Sequence, residues 1–284
     1  MKPLPVSIII VTYNSAHCIG QALAAAPRAA ELIVVDNASS DDTIEQAQKF
    51  SCTVVANRCN VGFGAACNQG AKIADREFLL FLNPDAILAP NVLELLLIAA
   101  TNRPDAAGFG PKLMRDPNAV KGWPAAADGH AEGAGAVNQA APGYRQVSFI
   151  SGASFLCRRS VFFEVGGFDE KFFLYFEDED LCLRLASHGA LIEVEEAVVF
   201  HHPGRGAGLD TRQRFSKYRH YGHSRAYFCK KHGVPYAFGL SALEQTGKGL
   251  IAMTLAQTGR AAQHFGRAVG YVEGRLRHLR FGRR

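Results

Sequence analysis

The sequence predicts an α/β domain built on a mostly parallel sheet, and three observations carry that expectation. Short apolar runs alternate with helical stretches through the first part of the chain, the strands being Val6–Val11, Leu32–Val35, Thr53–Ala56 and Phe78–Leu82. Alternation with short links implies right-handed crossovers and parallel pairing. Phe78-Leu-Leu-Phe-Leu82 is apolar at every position, as in a strand covered on both faces. Each strand also ends on polar residues: Thr12 and Tyr13, Asp36, Asn57 and Arg58, then Asn83 and Asp85. One such group would be a turn, whereas four sets on one sheet edge suit a ligand crevice.

The elements follow in order. Val6–Val11 is rich in β-branched residues and starts the sheet. Thr12-Tyr-Asn-Ser15 makes a polar turn, with Ser15 able to cap a helix reaching about Ala26. Leu32–Val35 ends at Asp36, and the loop Asn37–Thr43, dense in capping residues, leads into a helix to about Phe50. After Thr53–Ala56, Asn60-Val-Gly-Phe-Gly64 turns into a small-residue helix containing Asn68. Phe78–Leu82 stops at Asn83-Pro84-Asp85, because Pro84 has no N–H for a ladder and holds Asn83 extended. A leucine-rich helix follows Pro90.

From about Pro111 the rhythm changes. Residues 115–146 are rich in Ala, Gly and Pro and read as a long loop, of the kind that is functional or disordered in compact domains. Trp123, the only tryptophan, lies within it and reads as a core anchor or as a substrate-contact or lid residue. Order resumes at Val147–Ser151 and Gly152–Cys157. Gly166-Gly-Phe-Asp169 makes a tight turn, and the aromatic run Phe172–Phe176 leads into Glu177-Asp-Glu-Asp180. From Leu181 the pattern is amphipathic and helical to about His188, stopped by Gly189. Ala197–Phe200 is the last strand and ends at His201-His202-Pro-Gly204.

Composition narrows the classes. With 48% hydrophobic and 20% charged residues the chain is ordinary for a globular protein. No signal-peptide layout or bilayer-length apolar stretch is visible. The seven cysteines include no Cys-x-x-Cys pair, which argues against a disulfide framework or structural zinc site and suits a reducing cytosol. Gly62-Phe-Gly64 has Cys67 where a dinucleotide fingerprint needs its third glycine, and no P-loop stretch exists.

The chemistry concentrates at three places. Asp85 at a sheet edge suits a hard divalent cation held against phosphate oxygens, although Asn83 and Asp85 equally fit a turn that caps the next helix. His201 also closes a strand, and imidazole beside carboxylate suits Mn²⁺ as well as Mg²⁺. Four consecutive acids, Glu177 to Asp180, satisfy the helix dipole, but two would serve that need. Crowding like charges is one route to a general base.

Taken together these stretches resemble the GT-A-fold family 2 glycosyltransferases, above all their bacterial rhamnosyltransferase-like branch. The matching residues are Val6-Ser-Ile-Ile-Ile-Val-Thr-Tyr-Asn14, Val34-Val-Asp-Asn-Ala-Ser-Ser-Asp-Asp-Thr43 and Asn57-Arg-Cys-Asn-Val-Gly-Phe-Gly-Ala-Ala-Cys-Asn-Gln-Gly70. They continue through Phe81-Leu-Asn-Pro-Asp85, Gly166-Gly-Phe-Asp169, Phe176-Glu-Asp-Glu-Asp-Leu-Cys-Leu-Arg184 and His201, so the likeness spans roughly residues 5–235. It implies a Rossmann-like nucleotide-binding sheet with a mixed acceptor-side extension, followed by C-terminal helices. The halves would be 1–110 for the nucleotide sugar and 111–205 for acceptor and catalysis, with 206–284 a helical extension.

By the same resemblance, Thr12, Tyr13, Asn14 and Asp36 would hold base and ribose, and Arg58, Asn68 and Asn83 would line the nucleotide site. Asp85 ends the family's metal-binding Asp-x-Asp, in which Asn83 replaces the first aspartate, and His201 completes the metal site for Mn²⁺ or Mg²⁺. Asp178 would be the catalytic base, supported by Glu177 and Asp180; apart from the resemblance, Trp123, from its place in the long loop, and Gly152 are the candidates for the acceptor side. Gly206 stands where relatives often carry Ser, a departure that bears on phosphate contacts. The implied reaction is inverting transfer from a dTDP-, UDP- or GDP-linked sugar, rhamnose among them, to a glycan or lipid-linked glycan. Its rivals are a catalytically silent sugar-nucleotide or glycan-binding module of the same fold, and a nucleotide-sugar hydrolase.

The net charge of +5 belongs to the tail. Residues 258–284 hold seven arginines against Glu273, leaving 24 basic and 25 acidic residues elsewhere. A body so near neutral, with no basic stripe, argues against nucleic acid. Ala261, Phe265, Val269, Val272, Leu276 and Leu279 recur at helical spacing, while Gly266, Gly270 and Gly274 each weaken that helix by roughly 1 kcal/mol relative to Ala. The segment reads either as a terminal helix packed on the domain or as an interfacial helix on anionic lipid. The second reading suits a cytoplasmic protein held peripherally at the inner membrane face beside a lipid-linked acceptor.

Overall fold

Every apolar run expected to be a strand in the amino-terminal half forms one, and the computed structural model describes residues 3–114, 143–201 and 210–281, with side chains to residue 276. Trp123, His202 and Gly206 lie outside the described residues. The chain divides into two compact units. One comprises Met1–Val61, Ala65–Asp169 and Asp178–Gly206, the other Gly62–Gly64, Glu170–Glu177 and Ala207–Arg284.

In the first unit β1 (Val6–Thr12), β2 (Glu31–Asp36), β3 (Thr53–Ala56) and β4 (Phe78–Leu82) alternate with α1 (Ile19–Ala25), α2 (Thr43–Ala47) and α3 (Phe63–Ile73). They pair in parallel in the order β3-β2-β1-β4. All five residues of β4 are buried, as its unbroken apolar pattern requires. The sheet then becomes mixed. β5 (Ala86–Leu88) precedes α4 (Val92–Asn102), and β6 (Ala106–Met114), β7 (Tyr144–Val147), β8 (Ser154–Arg158), α5 (Arg159–Glu164), α6 (Glu177–Leu185) and β9 (Ala190–His201) follow. β8 is antiparallel to both β4 and β6, β6 is parallel to β9, and β9 also takes β5 and β7 as antiparallel neighbours.

Several local expectations are corrected. The first helix starts at Ile19 rather than behind Ser15, because the Ser15 hydroxyl turns back to the Tyr13 carbonyl at 3.4 Å. The second ends at Ala47 rather than Phe50. β5 and β6 had no sequence forecast: β5 is only three residues long, and β6 contains Pro111, which is tolerated because the ladder with β9 slips there. β7 begins at Tyr144, inside the stretch read as loop. β9 starts at Ala190, its exposed Glu195 and Glu196 having hidden its first half. In the Phe172–Phe176 run that leads into the acids, Tyr175 and Phe176 take left-handed backbone, with φ of 71° and 68°.

The second unit is dominated by α7 (Thr211–Lys231), α8 (Phe238–Thr254) and α9 (Thr258–Phe281). Asp210 and Gln213 form a capping box at the start of α7, the Gln213 amide donating to the Asp210 carboxylate at 2.7 Å. The forecast α9 helix exists, but its apolar row is buried only at Ala261 and partly at Phe265. Ala262, Gly266, Ala268 and Gly270 are buried, whereas Val269, Val272 and Leu276 are exposed. The glycines let α7 come close: a Cβ on Gly266 would lie 2.4 Å from the Phe215 carbonyl oxygen, and one on Gly270 2.1 Å from that of Arg219. Arg219 clamps Glu273 across the same seam with two hydrogen bonds of 2.7 and 2.8 Å.

Candidate active site

The Asn83-Pro84-Asp85 turn delivers one half of the site and β9 the other. The Ala86 amide donates to the Asn83 carbonyl at 3.1 Å, closing the turn, and β5 then pairs with β9 so that Ala86 sits opposite His201. That register brings Asp85 and His201 together across more than a hundred residues. Asp85 Oδ1 lies 3.2 Å from His201 Nε2, and the Asn83 amide nitrogen lies 3.4 Å from the same ring atom. Both side chains remain accessible, at 19% and 17% of full exposure. One carboxylate oxygen and one imidazole nitrogen at a sheet edge fit a divalent cation that takes its other ligands from phosphate and water. Among the described residues no group of three or more His, Cys, Asp or Glu forms a fully protein-made cage.

The adjoining edge carries the groups assigned to the nucleotide. Thr12 pairs with Asp36 in the β1–β2 ladder, and its hydroxyl donates to Asp36 Oδ1 at 2.8 Å. Asp36 also accepts from the Ser39 amide at 2.8 Å and the Ser39 hydroxyl at 2.5 Å, and both Thr12 and Asp36 are wholly buried. Asn14 takes left-handed backbone, φ 52°, receives no strain relief from glycine, and ties its side-chain oxygen to the Ser40 amide at 2.8 Å. Asp41 completes this loop-to-loop lacing. Burial alone would raise its carboxyl, but the Thr43 hydroxyl and the amides of Ala16 and Thr43 hold it below the ordinary carboxylate value. Tyr13 and Arg58 are exposed at the edge, free to meet a ligand. The Cys18 thiol nearby is pushed up to about 12 by burial and then by the negative charges of Asp85 and Asp41.

Asn68 spends its amide differently. It donates to the Phe168 carbonyl and accepts from the Phe168 amide, both at 2.9 Å, which fixes the turn after α5. Gly167 is required in that turn: its φ is +69°, and a Cβ would lie 2.7 Å from Asn68 Oδ1. Phe168 then packs edge-to-face against Phe81 of β4 in the core, with ring centroids 5.1 Å apart.

The four acids at the start of α6 separate by environment. Asp180 is wholly buried and accepts from Arg184 Nε at 2.9 Å; the same guanidinium donates to the Val165 and Gly167 carbonyls at 2.8 and 2.6 Å. Glu177 is buried as well. Asp178 is only partly buried, and it accepts from the Gly152 amide at 2.9 Å and the Glu179 amide at 3.1 Å. Two backbone donors orient this carboxylate. Gly152 is therefore a holder of Asp178 through its amide. A backbone donor has no residue-type signal in a sequence; Ser39 and Asp41 did have one, in the density of capping residues across 37–43.

A separate cleft of about 790 Å³ is lined by Leu4, Pro27, Leu88, Val92 and Leu97 and contains none of these groups. Chemistry rather than volume marks the site.

The model of the family described as glycosyl transferase family 2 matches residues 7–166. An N-acetylglucosaminyl-diphospho-decaprenol L-rhamnosyltransferase of Mycobacterium tuberculosis is 31% identical over 239 residues, 72% of this chain and 78% of that protein. Among solved structures, the mannosyltransferase PcManGT from Pyrobaculum calidifontis, in complex with GDP-Man and Mn²⁺, superposes with a TM-score of 0.58 at 17% identity, over 96% of this chain and 87% of that one. TarS residues 1–349 from S. aureus give a TM-score of 0.56 at 15% identity, over 97% and 92%. These two establish the GT-A fold, with its mixed sheet and C-terminal helices. The family match covers more than half of the chain and the rhamnosyltransferase likeness runs well beyond it, so this protein belongs to glycosyl transferase family 2 and is a glycosyltransferase of the rhamnosyltransferase-like kind.

Proposed function

We propose that the chain is an inverting, divalent-cation-dependent transferase. It moves a sugar, rhamnose first among the candidates, from a dTDP-, UDP- or GDP-linked donor to a hydroxyl of a glycan or lipid-linked glycan in cell-surface polysaccharide synthesis. The observation that carries this reading is the convergence of Asp85 and His201 at the sheet edge, 3.2 Å apart. The name of the M. tuberculosis relative, which pairs rhamnosyl transfer with a decaprenol-linked acceptor, and the GDP-Man and Mn²⁺ bound to PcManGT support it.

In this reading Asp85 and His201 hold Mn²⁺ or Mg²⁺, which when bound supplies positive charge beside the leaving diphosphate. Thr12, Tyr13, Asn14, Asp36 and Arg58 receive base and ribose, Asn83 borders the metal pair, and Asn68 supports the wall behind them. Asp178 takes the proton from the acceptor hydroxyl as that oxygen bonds to the anomeric carbon. The bond to the diphosphate oxygen breaks on the opposite face, and the diphosphate leaves with the electron pair. One carboxylate is enough, unlike the paired acids of glycoside hydrolysis. Glu177 and Asp180 hold α6 in place for Asp178, and Gly152 and Trp123 border the acceptor. Residues 1–110 then serve the donor, 111–205 the acceptor and catalysis, and 206–284 form an extension. The arginine-rich 258–284 meets an anionic membrane surface on the cytoplasmic side.

The test is a thermal-shift panel of dTDP-, UDP- and GDP-sugars with and without Mn²⁺, on wild type and Asp85→Ala. One nucleotide class should stabilise the wild type only with metal, and Asp85→Ala should abolish the shift. Flat curves for every donor on folded protein would make a silent glycan-binding module, or a donor site that forms only with acceptor, the better reading. Product release that no acceptor accelerates would make it a hydrolase.

A further inference from the structure

We propose that the outward face of α8 is a lipid-seating face that sets the second unit into the headgroup layer of an anionic bilayer. The proposal rests on the membrane reading of 258–284 and moves the apolar contact to a different helix. α8 is turned inside out relative to an ordinary surface helix. Its buried positions are Ala242, Gln245, Gly249 and Ala252, packed on α9, where the Gln245 side chain meets His264 at 2.8 Å. Its large apolar residues point away: Leu240 is 72% exposed, Leu243 71%, Leu250 56% and Ile251 61%. At 3.6 residues per turn these four share one side of the helix and span roughly 16 Å along it. A helix facing water carries polar residues on that side. Grouped exposed leucines of this kind mark an interaction surface.

Charge selects the occupant. α8 is followed by the segment with seven arginines and one acid, and that acid, Glu273, is held by Arg219. Two copies of the chain meeting through α8 would bring two such basic segments together, which like-charge repulsion opposes. Anionic headgroups complement the arginines while the acyl boundary receives the leucines, the division of labour of an interfacial helix. Among the described residues no helix is long and apolar enough to cross a membrane, so the contact is with one leaflet.

The experiment is co-flotation of the full chain with phosphatidylcholine vesicles containing about 30% phosphatidylglycerol, at low and high salt. The proteins are wild type, a variant combining Leu240→Gln, Leu243→Gln, Leu250→Gln and Ile251→Gln, and an Arg260→Gln/Arg275→Gln variant. The glutamine variant should stay folded, since it alters exposed side chains only, and lose binding by at least about tenfold at both salt levels. The arginine variant should lose binding chiefly at low salt. A Leu243→Trp protein provides a second readout: its emission should move to shorter wavelength on vesicles and be quenched by brominated lipid. Unchanged binding of the glutamine variant, with unmoved Leu243→Trp emission, overturns the α8 proposal and leaves the arginine reading standing. If wild type ignores the vesicles at low salt, both fall. If it is a dimer that the glutamine variant dissociates, the face belongs to a second copy and the lipid proposal is overturned.

Discussion

At Asp178 two backbone amides fix the carboxylate, so its loss should be felt in chemistry rather than in folding. Asp178→Asn keeps the size and removes the proton acceptor. We expect kcat to fall by about 10² to 10⁴, the usual worth of a positioned general base, with donor-induced thermal shifts unchanged. A parallel loss of donor binding would show that Asp178 shapes the nucleotide site instead. Asp180, two residues on, behaves oppositely because it is fully buried against Arg184. Arg184→Ala removes the guanidinium paired with this buried carboxylate and also releases the Val165 and Gly167 carbonyls, so it should cost about 3 kcal/mol in chemical denaturation. Asp180→Asn should cost less, since Arg184 retains its two carbonyl partners. The i, i+4 spacing of Asp180 and Arg184 was legible in the sequence, as was Asp178 within a run of acids. Which acid faces solvent was not legible, because burial is set by what packs on α6.

At the scale of elements, the α7–α9 seam reverses the sign of a propensity argument. Read as a lone helix, α9 should gain roughly 1 kcal/mol from Gly270→Ala. In the folded unit the new Cβ would meet the Arg219 carbonyl oxygen at 2.1 Å, backbone that cannot rotate aside. Gly270→Ala should therefore destabilise the protein by about 1–3 kcal/mol, the range for overpacking, and Gly266→Ala should do likewise. Stabilisation of either variant in thermal unfolding would mean that the seam is looser than described. β5 teaches the same lesson about the site. Three residues between a proline turn and a helix carry no strand signal, yet their pairing with β9 is what carries His201 to Asp85.

For the whole molecule, two histidines of the helical unit set a direction for acid sensitivity. His220, stacked on Phe173 at 4.2 Å, is held below the ordinary imidazole value of 6.5 by burial and then Arg219, with Glu273 opposing. His264 is lowered likewise by burial, then by Arg267, Lys248 and Arg260 against Glu244. Both are neutral in the folded state at pH 7, and the unfolded chain takes up their protons first as pH falls. Stability from these groups is therefore complete above 6.5 and is lost as pH drops toward their folded values. The melting temperature should fall as pH drops below about 6.5, and a His220→Phe/His264→Gln variant should flatten that slope. An equally steep slope in the variant would place the acid-sensitive groups elsewhere. By itself the sequence determined the parallel half of the sheet, its polar strand ends, the family likeness and the arginine-rich tail, because periodicity, strand-terminating residues and motif order are local properties. Tertiary structure alone decided how the β5–β9 register sets Asp85 against His201, that Gly152 holds Asp178, and that α8 turns Leu240, Leu243, Leu250 and Ile251 outward. Those outcomes depend on register and close approach between segments far apart in the chain, which no local pattern encodes.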